Sequence, residues 1–259
     1  MRINHGDPAW LELATHDLEG AAAFYGRAFG WELARDAGSD EAVATLGGQP
    51  VARIRPALAG APAQWTVWLK VDDVAQATSA AVSARGNVVS PPTRHEKLGW
   101  RAVVEDPAGA RVGLWEAGQE GWALGSGHGR PCWFDVISTN FAEARSFYGA
   151  LGGWRYHYPL ADGTLDISEP LPGNYRHAVN GGQGEATAGI LDAREVGGAD
   201  EGSRWLMYLA VGDVDGACAA VTAAGGEVVE GPRTMPFGRM AEIRDPHGAE
   251  FRVLRSPGA

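Results

Sequence analysis

The chain is short of cysteine, of basic charge and of long apolar runs, and each shortage removes a class of protein. Its two cysteines, Cys132 and Cys218, fall in a strand-like and a helix-like segment. They read as buried thiols rather than a disulfide, and two cysteines cannot form a structural zinc site unaided. Lys and Arg number 22 against 32 Asp and Glu, a formal net charge of -10. Nothing concentrates the basic residues, which argues against a nucleic-acid backbone or an acidic membrane surface as a partner. No apolar run approaches the roughly 18 residues that span a bilayer. Met1 to Pro8 is short and polar, unlike a signal peptide. The expectation is therefore a cytoplasmic protein, a monomer or homodimer, with no nucleic acid and no membrane among its partners. Several chemical signatures are missing too. There is no GxGxxG, no Walker loop, no GxSxG elbow and no His-x-His or His-x₃-His spacing.

Hydrophobic residues make up 45% of the 259 residues and charged residues 21%, an ordinary globular balance. The 37 Gly and 10 Trp are high counts. Trp is costly on a surface, so several should line a core or a ligand cup. The Ala, Gly, Arg and Trp bias suits a GC-rich bacterial gene.

The organising feature is a repeat. AWLELATHDLEGAAAFYGRAFGW (9–31) matches CWFDVISTNFAEARSFYGALGGW (132–154) at an offset of about 123 residues, the length of a small domain. VDDVAQATSAAVSARGNVVSPP (71–92) matches VGDVDGACAAVTAAGGEVVEGP (211–232), and GWRAVVEDPAGARVGLW (99–115) matches GRMAEIRDPHGAEFRVL (238–254). The second half carries extra residues around 158–176, read as a longer loop. Each half in turn holds two units of one pattern: a strand, an Asp or Asn cap, a helix, a Gly stop and further strands. Trp10 to Thr15 alternates as a strand does, Asp17 caps, Leu18, Ala21, Ala22, Tyr25 and Phe29 recur at helical spacing, and Gly30 ends the helix. Trp65 to Val71, Asp73, Val74 to Arg85 and Gly86 repeat the scheme, and Asp106-Pro107 with Gly109 turns into the last strand. Gly118 to Gly129 is the natural linker.

Four such units, an Ala-rich helix ending in FY and a DPxG turn before a final strand resemble the vicinal oxygen chelate superfamily. That group includes glyoxalase I, bleomycin-resistance proteins, fosfomycin-resistance enzymes and extradiol dioxygenases. The match is best to its two-domain branch, often labelled glyoxalase-like or "hydroxylase". The resemblance implies an α+β fold of four βαβββ modules. These would form two tandem domains with cup-shaped mixed sheets, at 1–117 and 131–259, joined by a linker at 118–130. It also implies metal ligands on the first and last strands of a module, where a family member has them. Here those positions hold Trp10, Thr66, Trp133 and Leu206 on first strands, and Gly113 and Arg252 on last strands. Trp, Leu and Gly do not ligate divalent metals and Arg repels them. No metal and no cofactor is therefore expected.

Residues two apart on a strand share a face. If Trp10 faces the cup, so does Glu12; if Trp133 does, so does Asp135. Thr66, Trp68 and Lys70 form another set, as do Leu206, Tyr208 and Ala210, then Arg111, Gly113 and Trp115, then Glu250, Arg252 and Leu254. The candidate ligand-binding residues are Trp10, Trp68, Arg111, Trp115, Trp133, Tyr208 and Arg252; the candidate acid–base residues are Glu12 and Asp135. Three readings of the charged residues stay open: Glu12–Arg111 and Asp135–Arg252 as ion pairs, contact with a ligand, or general-base chemistry beside Trp. The Trp stripe can equally be core. The histidines are scattered. His16 and His247 sit at a helix start and a turn, His95 in a polar loop, and His157 and His177 flank the inserted segment, within reach of the second cup.

The functional expectation is a metal-independent protein that binds or transforms a hydrophobic or aromatic small molecule in a Trp-lined cup. The alternatives are a metal-dependent lyase, isomerase or oxygenase with relocated ligands, and a scaffold with filled cups. The longer loop and the Arg at a ligand position place the more specialised site in the second half.

Overall fold

A computed structural model describes residues 3–35, 40–95, 98–117, 125–160, 162, 164–168, 176–196, 202–235 and 237–255. The first module is β1 (Pro8–Thr15), α1 (Leu18–Phe29), β2 (Glu32–Arg35), β3 (Ala42–Leu46) and β4 (Gln49–Pro56). The second is β5 (Gln64–Lys70), α2 (Val74–Ser83), β6 (Asn87–His95), β7 (Gly99–Glu105) and β8 (Arg111–Ala117). The third is β9 (Pro131–Ser138), α3 (Phe141–Gly152), β10 (Tyr158–Pro159), β11 (Leu165–Asp166), β12 (His177–Val179) and β13 (Ala188–Asp192). The fourth is β14 (Arg204–Ala210), α4 (Val214–Ala223), β15 (Glu227–Met235), β16 (Gly238–Arg244) and β17 (Glu250–Arg255).

The fold is α+β, as the repeat implied, with one open sheet ordered β2-β3-β4-β1-β5-β8-β7-β6 and another ordered β12-β13-β9-β14-β17-β16-β15. In every module the helix is a crossover. The meander that follows returns its last strand parallel to the first: β1 with β4, β5 with β8, β9 with β13, β14 with β17. The Asp17, Asp73, Asn140 and Asp213 side chains accept from backbone N–H groups of their first helical turns. Gly30 and Gly153 close their helices in the left-handed region.

One helix stop differs from expectation. After α2 the left-handed residue is Arg85 (φ 68), not Gly86. Gly86 is required for space instead, since a Cβ there would lie 2.4 Å from the Phe147 ring and 2.7 Å from the Glu105 carbonyl oxygen. The inserted segment holds the β10–β11 ribbon within the expected loop; positions 161, 163 and 169–175 of it lie outside the described residues, as do 118–124 of the expected linker.

Contacts divide the chain into two compact units that each draw on both sequence halves. Unit 1 comprises Met1–Ala9, Val67–Ala123 and Phe134–Trp205; unit 2 comprises Trp10–Thr66, Leu124–Trp133 and Leu206–Ala259. The same device is found in both. In unit 2 Tyr25 donates to Asp245 at 3.0 Å and accepts from the Trp65 indole at 3.1 Å. In unit 1 Tyr148 donates to Asp106 at 3.2 Å and accepts from Trp205 at 2.9 Å. The other oxygen of each aspartate accepts from two backbone N–H groups of its own turn. The FY and DPxG signatures are thus two ends of one buried hydrogen-bonded link. Trp31 stacks on Tyr25 and Trp154 on Tyr148, so these indoles and those of Trp65 and Trp205 belong to the helix-side cores. Burial pushes both tyrosines well above the ordinary phenol range and raises the Asp106 carboxyl.

Candidate functional site

The helix-opposite faces of the sheets carry the indoles of Trp10, Trp68, Trp115 and Trp133 and the buried charges of Glu12, Asp135 and Arg252. Strand alternation decides which residues these are. In unit 2 Phe251 packs on Phe24 and Tyr25 of α1, which puts its neighbours Arg252 and, two residues on, Leu254 on the other face. Tyr208 lies directly across from Arg252 on β14, and Glu242 across from it on β16. Arg252 is 1% exposed. It donates through Nε to Glu242 at 2.9 Å and through a terminal nitrogen to the Tyr208 hydroxyl at 2.7 Å. Burial alone would lower its pKa, but Tyr208 and Glu242 outweigh that and raise it. The cation is therefore permanent. Around it Tyr208, Met240 and Leu254 form an apolar cluster, with Cys132, Trp133, Met235 and Phe237 packed against it and partly open. Burial pushes the Cys132 thiol up to about 12, so it is protonated and unreactive at neutral pH.

Unit 2 also contains Trp10 and Glu12 on β1. Leu11 and Leu13 are fully buried, and Trp10 and Glu12 alternate with them. Glu12, 3% exposed, accepts from Arg55 Nε at 2.7 Å, while Arg53 pairs with Glu41 at 2.9 Å. Arg53 and Arg55 were not singled out in the sequence. Their spacing in VARIR, two apart on a strand that returns beside β1, was the available signal.

In unit 1 Trp68 lies across from Gly113. A Cβ on Gly113 would sit 2.2 Å from two atoms of that indole. The Arg101 guanidinium covers the ring at 3.6 Å from its centroid. Trp115 donates its indole N–H to the Leu98 carbonyl. Arg111 is at the open end of β8, exposed, and pairs with Glu105 at 3.0 Å. On the helix-opposite side of β9, Asp135 is hydrogen-bonded to His177 Nε2 at 3.1 Å, both side chains being buried. Gly189 makes room for them, since a Cβ there would lie 2.5 Å from the Asp135 oxygen and from His177 Nε2. His177 was one of several scattered histidines in the sequence; only the register of β12 on β13 brings it to Asp135.

One of the three open readings, Glu12–Arg111 and Asp135–Arg252 as ion pairs, is thereby corrected. Glu12 pairs with Arg55 and Arg111 with Glu105; Asp135 pairs with His177 and Arg252 with Glu242. The reason lies in the repeat alignment. Arg111 corresponds to Glu250, and Gly113 to Arg252, so the two arginines are not equivalent. Of the remaining histidines, His16 bonds the Ala61 carbonyl at 2.6 Å and His95 is exposed on β6. A separate cleft of about 460 Å³ in unit 1 is lined by Asn4, Asp7, Trp154 and Glu185 among others, and its Asp7 carboxylate is bonded to Thr187 and Asn180.

The architecture and these faces define the class. The chain belongs to the Glyoxalase/Bleomycin resistance protein/Dioxygenase superfamily, whose family model matches residues 7–114 and 133–253. Among its relatives, "Putative glyoxylase CFP32" of Mycobacterium tuberculosis (strain CDC 1551 / Oshkosh) is 34% identical, covering 96% of this chain and 95% of that protein. The anthracycline biosynthesis protein DnrV of Streptomyces peucetius is 30% identical over 98% of this chain and 94% of its own length. The fold is shared with the Mn(II)-bound glyoxalase of Novosphingobium aromaticivorans at TM-score 0.61 and 16% identity, over 98% of this chain and 84% of that one. An extradiol ring-cleaving dioxygenase from B. fuscum gives TM-score 0.65 at 13% identity, over 98% and 72%.

A divalent metal of the kind held by such neighbours does not fit the corresponding residues here. At one last-strand position a fixed guanidinium is buried on Glu242 and Tyr208. At the other an indole lies flat on a glycine, where a carboxylate side chain has no room. Among the described residues no three His, Cys, Asp or Glu side chains converge as a metal set.

Proposed function

We propose that this protein binds a hydrophobic or aromatic small molecule without a metal, on the helix-opposite face of the second sheet. The observation that supports this is the buried Arg252 cation set within Trp133, Tyr208, Met240, Leu254, Met235 and Phe237. Aromatic and thioether side chains suit a flat apolar ligand. A guanidinium held in place by a carboxylate and a phenol gives that ligand fixed N–H groups where a metalloenzyme would present a metal. The relation to an anthracycline biosynthesis protein supports a polycyclic aromatic ligand.

The test is a titration of the purified protein with anthraquinone-2-carboxylate, read by quenching of Trp fluorescence, alongside elemental analysis. Saturable quenching is expected, unchanged by a chelator, and Trp133→Ala should weaken it about fivefold or more, the loss of one aromatic contact. Stoichiometric bound metal whose removal abolishes binding would instead favour a metal-dependent lyase, isomerase or oxygenase with relocated ligands.

A further inference from the structure

The repeat extends to the turn before each module pair: Asn4-His5-Gly6-Asp7-Pro8 aligns with Gly127-His128-Gly129-Arg130-Pro131. The backbone of the two corners is held alike. The Trp154 indole donates to the Gly6 carbonyl at 2.9 Å, and the Trp31 indole to the Gly129 carbonyl at 2.8 Å. Gly6 donates in turn to the Lys70 carbonyl, and Gly129 to that of Ala210. The corners differ in one side chain and in the hairpin beside it. In unit 2 Gly47 and Gly48 join β3 tightly to β4, and Arg130 donates to the Leu46 carbonyl there at 3.3 Å. The rest of its side chain lies along the linker, 2.6 Å from where a Cβ on Gly125 would be. In unit 1 the matching connection, from β12 to β13, is the longer run from Asn180 to Thr187, and a carboxylate replaces the arginine. This corner holds the cleft of about 460 Å³.

The charge of the cleft has one sign. Asp7 accepts from the Thr187 hydroxyl at 3.0 Å, the Asn180 amide at 3.4 Å and the Asn4 backbone N–H at 2.8 Å. All three donors are neutral, so the carboxylate is oriented without being neutralised. Glu185 adds a second carboxylate to the lining, and Gly152 and Gly153 bring the negative end of α3 to it. Among the described residues no Lys or Arg lines the cleft. Other carboxylates are matched to arginine: Glu12 to Arg55, Asp192 to Arg194, Glu242 to Arg252.

We propose that this cleft binds a small organic ammonium ion, whose N–H groups donate to Asp7 and Glu185. Both Asp7 oxygens are already engaged by protein donors, which leaves room for one more hydrogen bond but not for the several open oxygens a divalent cation needs. The site is built from the segment before β1, the end of α3 and the β12–β13 connection, away from the sheet faces. It stands or falls independently of the Arg252 reading.

The probe is 1,4-diammoniobutane, with 1,4-butanediol as a neutral control of similar length. In ¹⁵N-labelled protein with assigned backbone resonances, the diamine should give saturable shifts centred on residues 4–7 and 180–185, and the diol none. By the same titration Asp7→Asn should weaken binding about tenfold, the loss of a charge-assisted hydrogen bond. Glu185→Gln, at an exposed position, should weaken it about threefold, as for an exposed ion pair. Circular dichroism checks that both variants fold; should Asp7→Asn fail to fold, Glu185→Gln decides alone. Wild-type affinity in either folded variant would overturn the proposal. So would equal shifts with the diol, or no saturable shift at the cleft. Shifts scattered without saturation over the acidic surface would overturn it as well, since they would report only general attraction to the net negative charge.

Discussion

Arg252 shows how a single residue can decide what a site excludes. Its guanidinium is one of the largest fully buried side chains in the protein, and both its bonded partners are buried with it. Removing one member of such a pair strands the other charge, which costs about 3–5 kcal/mol, whereas removing both costs far less. Arg252→Met should therefore lower unfolding free energy by about that amount. The double variant with Glu242→Leu should recover most of it, as measured by urea denaturation of the full chain. A Glu242→Leu single variant as stable as wild type would refute the assignment of these two as a coupled pair. Position 252 was visible in the sequence as a departure from the metal-ligand pattern. Its partners were not, because Glu242 and Tyr208 lie on strands whose register the repeat alone does not set. The same limit hid the link of Asp135 to His177, a residue beyond an insertion with no counterpart in the first half. Arg85 gave no signal at all: nothing in a run of small residues marks an arginine as the left-handed one.

At the scale of elements, the caps, crossovers and DPxG turns could be read directly. Their determinants are local: an Asx side chain before a helix, a glycine after it, an aspartate folding over its own turn. The Tyr–Asp links escaped because they join motifs more than 40 residues apart. Burial also makes the Asp106 turn sensitive to pH. Burial raises the Asp106 carboxyl above its ordinary value. In the range above that value the folded chain holds a proton that the unfolded chain has released, so this residue's contribution to stability falls as pH rises. Asp106→Asn retains the oxygen that accepts from Ala108 and Ala110 but cannot titrate. The stability of wild type relative to that variant, followed by urea unfolding across a pH series, should therefore decline from the ordinary aspartate range upward. A difference that is flat or increases with pH would show the carboxyl to be unperturbed or lowered.

For the whole molecule, the repeat in sequence and the compact units in space divide the chain differently. Phe24, Tyr25 and Phe29 from the first half are covered within unit 2 by Phe251 from the second. Phe147 from the second half closes over Gly86 from the first within unit 1. Residues 1–117 expressed alone should thus expose these aromatic faces and either associate or aggregate. Co-expression with 131–259 should restore a soluble complex on size-exclusion chromatography. A monomeric, cooperatively melting 1–117 would contradict this. The duplication itself was plain from the aligned segments, but strand-face periodicity gave no hint that each unit would borrow from both copies.

The rims of the last strands bear on how two such similar copies avoid confusion. Arg111 faces Glu105 in one, while Glu250 faces Arg244 in the other, the same position with the signs exchanged. A nascent chain that annealed a strand to the homologue of its proper neighbour would set carboxylate against carboxylate, or guanidinium against guanidinium, where like charges directly opposite cost up to about 1 kcal/mol per pair. Polarity at these two rungs acts as a keyed joint, letting a duplicated gene product sort its own strands while it assembles.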